Sequence, residues 1–505
     1  VSRKKLLTLL SRADDVGFLQ MLWATYVLQS ENPAPASRYI KHPKDAATPD
    51  PASSYAVRHW ELDTLATLVL TTEKAKPSHG KNHYLRTDVW DAMATVVTLL
   101  HDLEEGESGM KITPDNVLQE MSRIAQRQFH WQRSYFHPEG IRRALYVYGH
   151  EDAKAYFQEK YGVSLDDFTM TCIMLSVEFL SRPWIMDSKF KPLKDNTTMF
   201  SKVLGIVSRP VVGIRKEAGQ LRALMTQLIG GMWRHAYLPS ILRRYPLVEC
   251  RGEFIAPIPT LLIYRATAGL YYDFIADDAK SLLKTADKRF ETYIQELVPA
   301  YLPNLEGLPE ILIGTKKAKF LTPDVLVRSG GAITLVIECK ATKNTFAAQF
   351  AHDQIKGGKR GTDQLCKGVV QLWRFFSAVR RGIYVENPVA PEARGMVVTM
   401  DNWLLFDTFV RESILQQAAI DAAKYPEILE QDRKPVIFCS AQDLADTLQE
   451  SNEAGLYAAI DAASGVKYAG WDLIGILRDL GLSIERKPFP FNMDDVVPWR
   501  KDLPN

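Results

Sequence analysis

The stretch Pro323–Lys340, PDVLVRSGGAITLVIECK, decides how this chain reads. Two β-type runs, Val325–Val327 and Ile333–Ile337, flank the turn sequence Ser329-Gly330-Gly331, so they are expected to pair as neighbouring strands. Side chains alternate across a strand: Glu338 and Lys340 share one face, while Ile337, Cys339 and Ala341 share the other. Asp324 heads the first run and Glu338 ends the second, with thirteen residues between them. Pairing at the roughly 4.8 Å spacing of strands brings the two carboxylates together. Carboxylates that close repel, raise one another's pKa and are tolerated mainly with a cation between them, which asks for Mg²⁺ or Mn²⁺. Lys340 then stands where an ammonium orients a nucleophile or helps deprotonate it. A sheet edge could carry Glu338 and Lys340 as a solvated pair, but the apolar run Leu335-Val336-Ile337 reads as a central strand, which needs a reason to carry two charges.

Working outward, β-type runs also occur at Ile311–Ile313 and Met396–Thr399, with helical periodicity at about Ala276–Val298 and Asp363–Arg381. The order helix, three strands, helix, strand predicts an α/β domain over residues 251–445. A further run, Val436–Cys439, precedes helical patterns at Asp443–Leu448 and Leu473–Leu480. Pro488, Pro490, Pro498 and Pro504 mark an extended end, so 446–505 reads as a helical extension and tail. Before residue 250 apolar residues recur at three- and four-residue spacing, as in Leu62, Leu65, Leu68 and Val69, which predicts an all-α domain over residues 1–250. The fold class is therefore multidomain: an all-α N-terminal domain plus an α/β domain.

The composition is that of globular protein, 46% apolar and 24% charged. With 62 Lys and Arg against 60 Asp and Glu, no global field draws the molecule to a polyanion, and nucleic-acid contacts must come from local patches. The five cysteines are widely spaced, which suits neither a disulfide framework nor a zinc knuckle and predicts a reducing, cytoplasmic setting. Val1–Leu10 does not read as a signal peptide, and no apolar run approaches the ~20 residues of a membrane span. No phosphate-binding Gly-rich loop with Lys and Ser or Thr is present, which argues against an ATP-driven motor. His130, His137 and His150 have spacings that fit no zinc signature.

Pro323-Asp324 followed by Glu338-Cys339-Lys340 resembles the PD-(D/E)XK nuclease superfamily, the restriction-endonuclease-like fold, over about residues 276 to 400. The resemblance implies phosphodiester hydrolysis with Mg²⁺ or Mn²⁺ bound by Asp324, Glu338 and the carbonyl of Cys339. It also implies a further carboxylate on the first helix, where Glu291 stands beside the apolar stripe Phe290, Ile294, Leu297 and Val298. The exonuclease branch often carries Gln followed four residues later by Tyr on the second helix. Here Gln371 is followed by Phe375, so the branch stays open.

Gln364 and Gln371 fall two turns apart on one stripe of the second helix, facing DNA or a metal-bound water. Lys356, Lys359 and Arg360 lie among Gly357, Gly358 and Gly361, a basic loop suited to phosphates or an ordinary solvated turn. Between residues 123 and 148, arginines including Arg142 and Arg143 interleave with Trp131, Tyr135, Tyr146 and Tyr148, the ingredients of a nucleic-acid surface or of a helical core. The expected function is a DNA endonuclease or exonuclease whose N-terminal half supplies recognition, regulation or oligomerisation, alone or with partner subunits. By analogy with the family, action against foreign DNA in bacterial antiviral defence suits the architecture. Alternatives are a repair or recombination nuclease, an RNA-cutting nuclease, and a non-catalytic nucleic-acid-binding protein that keeps the fold.

Overall fold

The computed structural model describes residues 2–75, 84–109, 117–129, 131, 135–186, 197–228, 236, 238–315, 318–341, 343, 359–402 and 408–499. The chain is mixed α/β and divides into two compact units. One comprises Val1–Ile112, Arg127–Ala279 and Asp494–Asn505, and the other comprises Thr113–Gln126 and Lys280–Met493.

In the first unit, Asp14 caps the helix Asp15–Leu28 by accepting the Gly17 N–H, and Phe18, Leu19, Leu22, Trp23 and Val27 are all buried along it. A helix apolar on every side belongs inside a core, and this one packs on His59–Thr71. The expectation of an all-α unit is corrected here. Strands β1 (Trp184–Met186), β2 (Ser208–Pro210), β3 (Leu247–Cys250) and β4 (Glu253–Ile255) form a sheet in the order β1-β4-β3-β2. Its strands span only three or four residues each, too few for a period of two to show against the surrounding helical pattern.

The second unit is built on a five-stranded sheet. Its strands β5 (Glu306–Pro309), β8 (Val325–Ser329), β9 (Ala332–Lys340), β10 (Val389–Thr399) and β11 (Val436–Ser440) lie in the order β11-β10-β9-β8-β5. β8 and β9 pair antiparallel through Gly330 and Gly331, whose φ values of 56° and 87° suit glycine. β9, β10 and β11 run parallel, and the helix Lys359–Arg380 makes the crossover between the first two. The face carrying Leu326, Val336, Val397 and Phe438 is buried under Leu365, Val369, Leu372, Trp373 and Phe376 of that helix. Each such side chain contributes roughly 1.5–3 kcal/mol of burial. The helix Lys280–Tyr301 packs on β5, β8 and β9.

One strand assignment changes. Ile311–Ile313 was expected to open the sheet, but that place belongs to β5. Strand β6 (Leu312–Thr315) pairs instead with β7 (Ala318–Leu321) as a separate two-stranded ribbon. The segment after β11 forms helices Ala441–Gln449, Glu453–Ala463 and Leu473–Asp479, and Lys487 Nζ then donates to the carbonyls of Leu448, Ser451 and Tyr301. All five cysteines are free thiols. No helix among the described residues is long and apolar enough to cross a membrane.

Candidate active site

The β8–β9 register pairs Val325 with Ile337, so Asp324 and Glu338 come together at the same end of the hairpin. Asp324 Oδ2 accepts the backbone N–H of Cys339 at 2.7 Å. Glu338 is 1% exposed; its Oε1 accepts from Lys340 Nζ at 2.6 Å, and its Oε2 is buried with no hydrogen-bond partner among the described residues. Lys340 Nζ also donates to Gln371 Oε1 at 3.2 Å, which brings the second helix into the site.

The electrostatics are those of crowded anions. Burial, then repulsion from Glu338 and Glu291, pushes the Asp324 carboxyl up to about 9, against the pull of Lys340 and the Cys339 N–H. Burial likewise raises Glu338, although Lys340 opposes it. Burial alone would lower Lys340, but Glu338 and Asp324 outweigh it and the ammonium is held above its ordinary value. Lys340 is therefore a cation and donor at neutral pH, which favours orientation and charge stabilisation over proton abstraction.

Glu291 lies close enough to act on both Asp324 and Glu338, yet its Oε2 is 2.7 Å from Lys288 Nζ. Lys288 reaches Glu310 Oε1 at 2.7 Å as well. Among the described residues no three carboxylate, imidazole or thiol groups converge as metal donors. Two carboxylates still fit Mg²⁺, which keeps several waters and commonly takes only one or two carboxylates from protein. A cation at Glu338 Oε2 would satisfy a carboxylate oxygen whose charged form otherwise costs several kcal/mol to bury.

Reading the residues one at a time did not find Gly368. A Cβ there would lie 3.1 Å from Lys340 Cε and 3.2 Å from Glu338 Cγ, so glycine lets the helix close over the site. The available signal was an isolated glycine inside a helical pattern. Lys288, Glu310 and Lys343 were also missed; Lys343 is buried just beyond β9, 3.4 Å from Asp401.

The other expected contacts fare differently. Gln364 is half-buried on the same helix as Gln371. Lys359 and Arg360 open that helix instead of lying in a loop, and Lys359 is exposed. Lys356 lies outside the described residues. Arg142 is corrected: it is 4% exposed, with its guanidinium 5.3 Å from the Tyr146 ring centroid, inside the first unit and not on a phosphate-facing surface. Arg143 is half-buried. Trp131 and Tyr148 are buried too, so this stretch builds core. His150 caps the helix Glu151–Tyr161 by accepting the Ala153 N–H.

A second buried carboxylate stands at the C-terminal end of β11. Asp443 accepts the N–H groups of Leu473 and Ile474 at 2.9 and 3.1 Å, and its own N–H donates to Ser440 Oγ at 3.0 Å. Burial and the neighbouring Asp472 push it up to about 7 despite those two donors. It lines a small cavity with Thr399, Asn402, Arg411 and Ser440.

No protein-family model matches the chain, and no curated protein or solved structure matches it either.

Proposed function

We propose that the second unit is a metal-dependent nuclease of the PD-(D/E)XK type, hydrolysing phosphodiester bonds of DNA. The observation that carries this reading is the convergence of Asp324, Glu338 and Lys340 at one end of the β8–β9 hairpin, where Glu338 Oε2 is buried with no hydrogen-bond partner among the described residues. A buried oxygen of this kind is satisfied by ordered water or by a bound ion. Asp324, Glu338 and the Cys339 carbonyl would hold Mg²⁺ or Mn²⁺, with Glu291 joining if it leaves Lys288. When bound, the ion supplies Lewis-acid polarisation of the phosphodiester.

The chain's own groups do the rest. Lys340, held cationic by Glu338, donates from Nζ toward the charge that grows on the phosphoryl oxygens. Gln371 fixes the direction of Nζ by accepting from it. The helix above Gly368 covers Glu338 and Lys340 and keeps their charges in a low-dielectric setting, where each interaction counts for more than in water.

The test is incubation of the full chain with linear, circular and single-stranded DNA and with RNA, with and without Mg²⁺ or Mn²⁺. Metal-dependent cleavage of DNA that disappears in Glu338→Ala supports the reading. Cleavage indifferent to metal, or equal in Glu338→Ala, overturns it.

A further inference from the structure

The ribbon β6–β7 stands apart from the central sheet, and its two faces differ. Antiparallel pairing sets Leu312 opposite Leu321, Ile313 opposite Phe320, and Gly314 opposite Lys319. Side chains alternate, so Ile313 and Phe320 share one face while Leu312, Leu321 and Lys319 share the other. The inner face is anchored: Ile313 is 4% exposed in the core beneath the helix Lys359–Arg380, and Arg374 of that helix lies 3.9 Å from the Phe320 ring centroid. The outer face is bare, with Leu312 57% exposed, Leu321 48% exposed, and Lys319 exposed. Gly314 has φ of 116°, a conformation that favours glycine, and it leaves no side chain opposite Lys319.

A protein does not ordinarily leave two leucines paired on the outside of a ribbon, and this ribbon is also cationic. From Ile311 to Thr322 the sequence ILIGTKKAKFLT contains three lysines and no acid, in a chain whose charges otherwise nearly cancel. Among the described residues Lys319 has no carboxylate within ion-pair distance. Both ends of the ribbon lead into the site. Glu310, joined to Glu291 through Lys288, precedes it, and Asp324 follows it after Thr322 and Pro323, with the Thr322 N–H donating to the Ile311 carbonyl at its base.

We infer that this ribbon enters the major groove of duplex DNA, Lys319 meeting a phosphate and the Leu312–Leu321 pair meeting base edges such as thymine methyls. The inference rests on the nuclease reading and extends it to the substrate class. A two-stranded ribbon fits the roughly 12 Å major groove of B-form DNA. The deep, narrow major groove of A-form RNA does not admit it. Lys319 supplies a charge that holds a phosphate, and two leucines supply contacts that no phosphate would reward.

Those contributions separate by experiment. Binding is measured by fluorescence anisotropy across a salt series in the full chain carrying Asp324→Asn, with labelled duplex DNA, single-stranded DNA and duplex RNA as probes. Lys319→Glu should weaken duplex-DNA binding about tenfold and lower the slope of log K against log salt by about one, since fewer counterions are released. Leu312→Thr with Leu321→Thr should weaken binding about threefold or more and leave the slope unchanged, since apolar contacts release no counterions. Arg381→Glu, at the far end of the anchoring helix, should alter neither by as much. Cleavage by the chain with intact Asp324 is read separately. If that chain binds with this signature but does not cut, the ribbon stands and the active-site reading falls. If it cuts while Lys319→Glu binds with unaltered affinity and slope, or if duplex RNA binds as tightly as duplex DNA, the ribbon assignment is overturned. A leucine pair whose replacement changes only self-association overturns it also.

Discussion

Two of the carboxylates buried in the second unit, Asp443 and Glu338, are treated in opposite ways. Asp443, beyond β11, accepts two backbone N–H groups from the start of the helix Leu473–Asp479. Glu338, at the end of β9, has one oxygen on Lys340 and the other on no group among the described residues. Both pay the desolvation cost of burial. At Asp443 that cost is only partly offset, by donors that fix one helix on another, and the product is architecture. At Glu338 it is left partly uncompensated, and Glu291 and Glu310 nearby make it worse. Strain that a fold could have relieved with one more donor marks the place where an outside cation is expected.

The largest effect that sharpens this contrast is catalytic. Asp324→Ala or Glu338→Ala should lower metal-dependent DNA cleavage by about three orders of magnitude, since several kcal/mol of transition-state stabilisation go with the ion. Initial rates on a plasmid substrate read this. Undiminished rates in both variants break the contrast.

Lys340→Ala should lower cleavage by about two orders of magnitude. It should also lower the melting temperature in chelator and recover it when Mn²⁺ is added, because it strips Glu338 Oε1 of its donor. A lysine that only faced a solvent-filled site would matter for the chemical step and little for folding. A side chain only 15% exposed and bonded to Glu338 says otherwise.

Asp443→Ala should do the reverse: a loss of about 2–4 kcal/mol in urea unfolding, from two buried N–H groups left without an acceptor, with cleavage per folded molecule unchanged. A tenfold loss of turnover would mean that Asp443 belongs to the chemistry.

A smaller effect appears with pH. The Asp443 carboxyl lies at about 7 in the fold against an ordinary 3.8, so the fold holds its proton more tightly than the unfolded chain does. Its contribution to stability is greatest below about pH 4 and falls as pH rises to about 7. The stability of Asp443→Asn relative to the parent should therefore improve over that interval, by on the order of 1–3 kcal/mol. A difference that stays flat with pH would show that the two N–H donors, not burial, govern this group.

Much of the second unit was legible. The two apolar runs and the paired glycines between them specify the β8–β9 hairpin, because the tight turn fixes the register of a strand that is buried on both faces from Leu335 to Ile337. Glu291, placed by resemblance, does lie near enough to act on Asp324. The ribbon was misread because Leu312 and Ile313 look like any short apolar strand, and sequence does not say which partner completes it. Arg142 and its aromatic neighbours were ambiguous from the start, since the same residues suit a stacking surface and a buried cation over a ring. Asp443 had a signal: Ser440 and Asp443 stand three apart after a strand, the spacing of a capping box. What no spacing disclosed was that Glu338 Oε2 would be left bare, because that depends on which side chains fail to reach it.

Calorimetric titration of Mn²⁺ into the full chain, into Glu338→Gln and into Asp443→Asn tests the central claim most directly. The variant at Glu338 keeps the shape and removes the charge, so the account predicts that the parent and Asp443→Asn bind Mn²⁺ alike while Glu338→Gln loses most of its affinity. Equal binding by Glu338→Gln, or no binding by the parent, would contradict it.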